Sequence, residues 1–185
     1  QLTGLSDFFM VCNTYWQVRS QEPNAALFDV KVVSASGKDI TTSSGVVIPA
    51  SPQPELENVD AILVAAAVAY DQATLGNYFN QVKSLAPFLN QANHLKIPIG
   101  AFCSSTFVLA EMGLLNEKHA TTVWWLAQHF QQKYPKISLQ LNQLVVNDGN
   151  LFTAGATTSY LSLCLMLVEH LYDERLSTQI AKIML

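Results

Sequence analysis

A short apolar strand that runs directly into a helix is the feature that most constrains this chain. Residues 97–102 are almost all apolar, helical spacing begins at Ser104, and Gly113 stands where that helix would end. Cys103 therefore lies at a strand-to-helix corner, which in an α/β fold opens at the carboxyl edge of the sheet. We expect its thiol to face a crevice there, with the first helix amides favouring the thiolate. Such a cysteine can act as a nucleophile, a redox sensor or a ligand anchor.

The rest of the chain predicts alternating helices and strands. A run such as residues 61–65 is apolar on both faces, as in the centre of a parallel sheet covered on both sides. Asp71 is placed to cap a helix. Helices are predicted from Leu5 to the break at Pro23, from Asp71 through Leu89, and at 104–113, 124–134, 157–172 and 176–185. Strands are predicted at 28–34, 45–48, 59–66 and 97–102, with a hairpin about 147–150. This order indicates an α/β three-layer sandwich with a largely parallel sheet flanked by helices.

Composition excludes several classes of function. The 185 residues fit one domain with a full core, and the formal net charge of -4 leaves Arg19 and Arg175 as the only arginines. The chain by itself is therefore not expected to bind nucleic acid. Cys12, Cys103 and Cys164 are too far apart for a CxxC zinc site or a disulfide framework, which indicates a reducing cytoplasm. No apolar run approaches the roughly 20 residues of a membrane span.

Three sequence motifs resemble a known family. The stretch GAFCSSTFVLAEMGLL at 100–115, HATTVW at 119–124 and DGNLFTAG at 148–155 resemble the ThiJ/PfpI superfamily, which is class I glutamine amidotransferase-like. More narrowly, they resemble the amidotransferase-like N-terminal domain of AraC-type transcriptional regulators. The resemblance implies a flavodoxin-like fold, a homodimer, a small-molecule effector, and DNA binding only through a helix-turn-helix domain outside this chain.

Both ends of the chain also resemble internal parts of that family. Residues 2–4 are similar to the segment just after the family's first strand, and the helix at 176–185 is similar to the exit toward a linker. We therefore expect residues 1–185 to form a single ThiJ/PfpI-like domain that is a fragment of a longer chain.

The resemblance assigns candidate roles around the cysteine. By similarity, Asp7 corresponds to the acidic residue that hydrogen-bonds the elbow cysteine, although an acidic residue near a helix N-terminus also fits Asp7. Val123 stands where the family has its usual histidine, so the proton acceptor that cysteine chemistry needs is replaced by an aliphatic group. Ala66 and Ala67 stand where the family has a glycine pair. Their methyl groups leave less room for a ligand to approach the backbone.

Two further predictions concern the lining of the crevice. Ser104 is expected either to donate a hydrogen bond to a ligand oxygen or to cap the helix. Trp124 and Trp125 are expected either to line a pocket or to divide between core and surface. No cofactor or metal is expected. The predicted ligand-binding set is Asp7, Ala66, Ala67, Cys103, Ser104 and Val123.

These residues favour one function and leave two alternatives open. The favoured one is a ligand-sensing and dimerising domain of an AraC-type regulator, catalytically inactive because Val123 cannot accept a proton, with Cys103 and Asp7 as vestigial catalytic candidates. The first alternative is a cysteine-dependent hydrolase or hydratase of the same superfamily, acting on a small molecule. The second is an oxidation sensor, which a reactive, exposed Cys103 would permit.

Overall fold

The chain folds into a sheet with helices on both faces. The computed structural model describes residues 2–42 and 44–184. Its α-helices are α1 (Leu2–Ser20), α2 (Gln72–Val82), α3 (Ala86–His94), α4 (Thr106–Glu111), α5 (Ala127–Lys133), α6 (Ser159–Leu171) and α7 (Glu174–Met184). Its strands are β1 (Ile40–Thr41), β2 (Val47–Ile48), β3 (Ile62–Val64), β4 (Ile99–Phe102), β5 (His119–Ala120), β6 (Ser138–Leu139), β7 (Val145–Asp148) and β8 (Leu151–Ala154).

The main sheet has four strands in the order β3-β4-β8-β7. The first three are parallel, and β7 pairs antiparallel with β8 through the predicted hairpin. The registers Val64↔Ala101 and Phe102↔Ala154 bring the carboxyl ends of β3, β4 and β8 to one edge. β4, the strand that leads to Cys103, therefore lies between two parallel neighbours. The predicted α/β sandwich with a largely parallel sheet is confirmed.

Two groups of helices cover the sheet. α6 packs on β4 and β8 and contacts α1 and α7. On α1, Phe8 and Cys12 are fully buried. The other group contains α2, α4 and α5: the Phe107 ring lies 4.9 Å from Phe130, and Lys133 Nζ lies 5.0 Å from the centroid of Phe79. No helix in the described residues is long and apolar enough to cross a membrane.

Short sequence signals predicted several helix boundaries correctly. Asp71 accepts a 2.8 Å hydrogen bond from the Thr74 amide at the start of α2, and Gly113 has φ +75° just beyond α4, as its predicted C-cap position requires. Several elements are shorter than predicted: the strand expected at 59–66 is paired only over β3, and that at 45–48 only over β2. The helix expected at 176–185 is α7, and Leu185 lies outside the described residues.

The strand predicted at 28–34 is wrong. These residues form only one isolated bridge, between Val33 and Ser51. The Asn13 side chain holds the start of the segment instead, since its oxygen accepts from the Leu27 and Phe28 amides and its amide donates to the Phe28 carbonyl. A strand needs a hydrogen-bonded neighbour along its length, and apolar alternation alone does not supply one.

Asp148 ties the β7–β8 hairpin to β5. Its carboxylate accepts from the His119 amide at 2.9 Å, lies 3.0 Å from Lys118 Nζ, and lies 3.1 Å from His119 Nδ1. These groups lower the pKa of Asp148 from 3.8 to about 2, with the largest contribution from the His119 amide and the next from the Lys118 side chain. A lowered folded-state pKa contributes stability that is present above pH 3.8 and is lost as pH falls toward 2.

We expect Asp148→Asn to lower the free energy of unfolding at pH 7 by about 1–2 kcal/mol, because the site is partly exposed and the ionic hydrogen bonds are screened. Denaturant titrations of both proteins between pH 7 and pH 2 measure this difference. It should narrow as pH falls below about 4. A difference that stays constant down to pH 2 would contradict the assignment.

Candidate functional site

The chain turns sharply at Cys103. β4 ends at Phe102, and residues Cys103–Ser105 form one 3₁₀ turn before α4. Cys103 has φ 58°, in the left-handed region that non-glycine residues rarely adopt. Its amide donates to the Gly155 carbonyl at 2.9 Å, and its carbonyl accepts from Thr122 Oγ1 at 3.0 Å. The strained corner is therefore braced by the segments that follow β8 and β5, and the predicted position of Cys103 is correct.

The Cys103 thiol is buried, which differs from the expected open crevice. The residue is only 7% exposed. Burial raises the pKa of the thiol, and the opposing effect of the neighbouring Ser104 does not reverse the shift. The thiolate is thus disfavoured rather than favoured. A short helix start supplies amides, but it does not offset removal of the charge from water.

The segment after β3 shares hydrogen bonds with the cysteine corner. Ser104 Oγ donates to the Ala67 carbonyl at 2.6 Å, and the Tyr78 hydroxyl donates to the Ala65 carbonyl. Ser104 is therefore neither a helix cap nor a free donor to a ligand. Ala66 and Ala67 pack against the core. Ala66 and Ala67 are half-buried, and their role in ligand binding stays a prediction.

Asp7 and Val123 have opposite surroundings, since Asp7 is exposed and Val123 is buried. Asp7 is exposed on α1, and no hydrogen bond joins it to Cys103 among the described residues. Val123 is fully buried in the core at the start of the 3₁₀ turn Trp124–Leu126. A fully buried side chain cannot contact a ligand unless the chain moves. The structure thus brings Cys103, Ser104, Ala66 and Ala67 together, but not Asp7.

None of the four histidines forms a hydrogen bond with Cys103 in the part of the chain that the structure describes. His119 faces Asp148, His129 stacks on Phe107 with 6.1 Å between centroids, and His170 meets the edge of Phe152. His94 is the last residue of α3. The thiol therefore has no imidazole positioned to accept its proton.

An open cavity of about 270 Å³ lies on the other side of the corner. Thr122 and Gly155, the two residues that hydrogen-bond the Cys103 backbone, form part of its wall. Trp124 stands at its rim and is 75% exposed, whereas Trp125, 42% exposed, is not part of the lining. The remaining lining residues are Thr121, Leu141, Asn142, Gln143, Leu144 and Ala156.

The sequence indicated this cavity only through the tryptophans. Residues 141–144 carry no motif, and they reach the cavity because Gly155 donates its amide to the Leu144 carbonyl. All nine lining residues are uncharged. Within residues 2–42 and 44–184, no cluster of three or more His, Cys, Asp or Glu side chains could hold a metal ion.

Residues 18–170 match a family model described as the DJ-1/PfpI family. The chain belongs to the DJ-1/PfpI family. A similar solved structure, an AraC family transcriptional regulator from Pseudomonas putida, covers 100% of this chain and 91% of its own with a TM-score of 0.76 at 16% identity. Drosophila melanogaster DJ-1beta covers 96% of this chain and 90% of its own with a TM-score of 0.70 at 18% identity.

Curated relatives of this DJ-1/PfpI domain include regulators and an enzyme. The HTH-type transcriptional regulator CdhR of Pseudomonas aeruginosa is 26% identical over 160 residues, which are 86% of this chain and 45% of CdhR. The isonitrile hydratase of Pseudomonas putida is 34% identical over 74 residues, 40% of this chain and 31% of that enzyme. The chain thus spans less than half the length of CdhR.

Proposed function

We propose that this DJ-1/PfpI domain is the ligand-sensing and dimerising part of an AraC-type transcriptional regulator. The observation that carries the proposal is similarity along nearly the whole domain to regulators, both CdhR and the Pseudomonas putida structure. The net charge of -4 argues against DNA binding by this domain and supports a separate helix-turn-helix domain for that role. A regulator of this kind works in the cytoplasm.

The state of Cys103 supports a sensing role over catalysis. Nucleophilic cysteine chemistry needs a thiolate and a group that returns the proton, and here burial raises the thiol pKa while Val123 stands in the position of the family histidine. The alternative, a cysteine-dependent hydratase or hydrolase, is favoured by the retained elbow cysteine and by the similarity to isonitrile hydratase. The two proposals differ in whether the protein turns over a substrate.

We place the effector in the 270 Å³ cavity rather than in the closed space beside the thiol. Its wall residues Thr122 and Gly155 hold the Cys103 backbone, so an occupant would act on residues that brace the corner. A ligand shifts a conformational equilibrium only by binding two states differently. Because two wall residues are hydrogen-bonded to the strained turn at Cys103, a ligand in the cavity could bind two conformations of that turn with different affinities.

The first test determines the native coding sequence and then measures DNA binding by the full-length protein. If the reading frame continues into two helix-turn-helix units, the full-length protein should bind its own promoter region, and residues 1–185 alone should not. A library of small metabolites is then screened for ligands that raise the melting temperature of the full-length protein. Absence of any DNA-binding segment, together with isonitrile hydration that Cys103→Ser abolishes, would favour the enzyme.

Trp124→Ala tests the location of the effector. We expect it to weaken binding of a ligand found in that screen by about tenfold or more, because an exposed indole at a cavity rim supplies a large apolar contact. Trp125→Ala is the matched control, since Trp125 touches Trp124 edge-on but does not line the cavity. Titration calorimetry measures both affinities. Equal affinities for the two variants would place the ligand elsewhere.

A further inference from the structure

The segment between β3 and α2 runs alongside the cysteine corner. We call residues Ala65–Asp71 the strap. Because β3 and β4 are parallel and Val64 is in register with Ala101, the strap leaves the sheet next to Cys103. Tyr78, on the following helix, lies close enough that Cys103 raises its pKa beyond the effect of burial. The strap and Tyr78 therefore lie beside the cysteine corner.

Two side-chain hydroxyls hold the strap. Ser104 donates to the Ala67 carbonyl at 2.6 Å and is fully buried. Tyr78, 7% exposed, donates to the Ala65 carbonyl. In the described part of the chain, no backbone-to-backbone hydrogen bond of a turn or loop includes residues 66–70. The strap is thus attached to its surroundings by Ser104 at Ala67 and by Tyr78 at Ala65, where it leaves β3.

The strap has little apolar anchorage of its own. Four of its residues are alanines, and a buried methyl group contributes only about 0.8 kcal/mol. Ala69 points into the core, but its larger neighbours Val68 and Tyr70 are 76% and 68% exposed. The free energy contributed by one or two hydrogen bonds is therefore large relative to that of the apolar contacts that keep the strap closed.

We propose that the strap is a hinged cover over Cys103, latched by the hydroxyls of Ser104 and Tyr78, and that its opening exposes the thiol without unfolding the domain. The cover does not depend on the sensing function and would operate in an enzyme as well. The hinge is formed by the ends of the strap, where β3 pairs with β4 and where the Asp71–Thr74 cap begins α2. Opening replaces the two latching bonds with hydrogen bonds to water.

Native-state thiol labelling tests the latch. The folded domain is treated with iodoacetamide, and the labelling rate of each cysteine is read by peptide mass spectrometry. Cys12 and Cys164 are fully buried and serve as internal reporters of global unfolding. Because Ser104 also lowers the thiol pKa, rates are compared per thiolate from a pH profile. Labelling that reports opening is proportional to the open population when closing is fast.

We expect Ser104→Ala and Tyr78→Phe each to raise the Cys103 rate by about twofold to tenfold, the range that one lost hydrogen bond of 0.5–1.5 kcal/mol implies. The double variant should exceed either single variant. Ser177→Ala and Tyr172→Phe are matched controls, since they remove hydroxyl-to-carbonyl bonds to Leu165 and Leu27 and should leave the Cys103 rate unchanged. An unchanged Cys103 rate in both latch variants, or a parallel rise at Cys12 and Cys164, would overturn the proposal.

Discussion

Phe107→Ala is expected to lower the free energy of unfolding by about 3–5 kcal/mol, the usual range for removal of a fully buried phenylalanine. Phe107 is 0% exposed in the second position of α4, and its ring meets Phe130 edge-on at 4.9 Å. It also contacts Tyr134 and stacks with His129, so one ring joins α4 to α5. Its deletion leaves a cavity behind the cysteine corner that rigid neighbours cannot fill.

Trp124→Ala supplies the control for that measurement. It removes a larger aromatic side chain, but one that is 75% exposed, so the expected change in unfolding free energy is within about 0.5 kcal/mol. Urea denaturation followed by circular dichroism compares the two variants. A cost for Phe107→Ala no larger than that for Trp124→Ala would mean that α4 is not packed as described.

The same variant has an expected consequence for Cys103. α4 follows the 3₁₀ turn directly, and the left-handed conformation of Cys103 persists only because its surroundings determine it. With α4 loosened, the corner can relax. We therefore expect Phe107→Ala to raise labelling at all three cysteines together, in contrast to the selective effect of the latch variants. The two patterns separate loss of packing from opening of the strap.

The features that sequence reasoning predicted correctly have local causes. The Asp71 cap, the glycine after α4 and the 147–150 turn each follow from residues within a few positions of one another. The position of Cys103 between a strand and a helix is local in the same sense. Such signals are contained in short stretches, and they also carried the resemblance that identified the fold.

The environment of the thiol was not predictable in this way. Cys103 is buried, and its neighbour Ser104 uses its hydroxyl on Ala67 of the strap, which is remote in sequence. The orientation of Asp7 depends on how α1 packs, not on its own position along the helix. The strand predicted at 28–34 failed for the same reason. Its formation depends on a pairing neighbour that is remote in sequence, and only Ser51 forms a bridge with it. Long-range contacts decided each of these outcomes.

Val123→His tests whether the thiol is inactive because a proton acceptor is absent or because the site around it is closed. Val123 is 0% exposed, so the larger, polar imidazole must enter a packed core. We expect a loss of about 2–4 kcal/mol of unfolding free energy from overpacking and from a polar group without a built partner. Burial disfavours the charged imidazole, which lowers its folded-state pKa, so a further loss is expected as pH falls below about 6.5. Val123→Thr, nearly equal in volume to the native residue, is the control for polarity without overpacking.

Restoring a histidine at Val123 is not expected to restore thiol chemistry. The imidazole supplies a proton acceptor, but the thiol stays only 7% exposed behind the strap and its pKa stays raised by burial. Isonitrile hydration by Val123→His should therefore remain at the background seen with Cys103→Ser. Combining Val123→His with Tyr78→Phe also raises the population in which the cover is open, and any activity should be detected only in that combination. Turnover by Val123→His alone, at wild-type stability, would show that access to the thiol was never limiting and that the enzyme alternative needs only one residue.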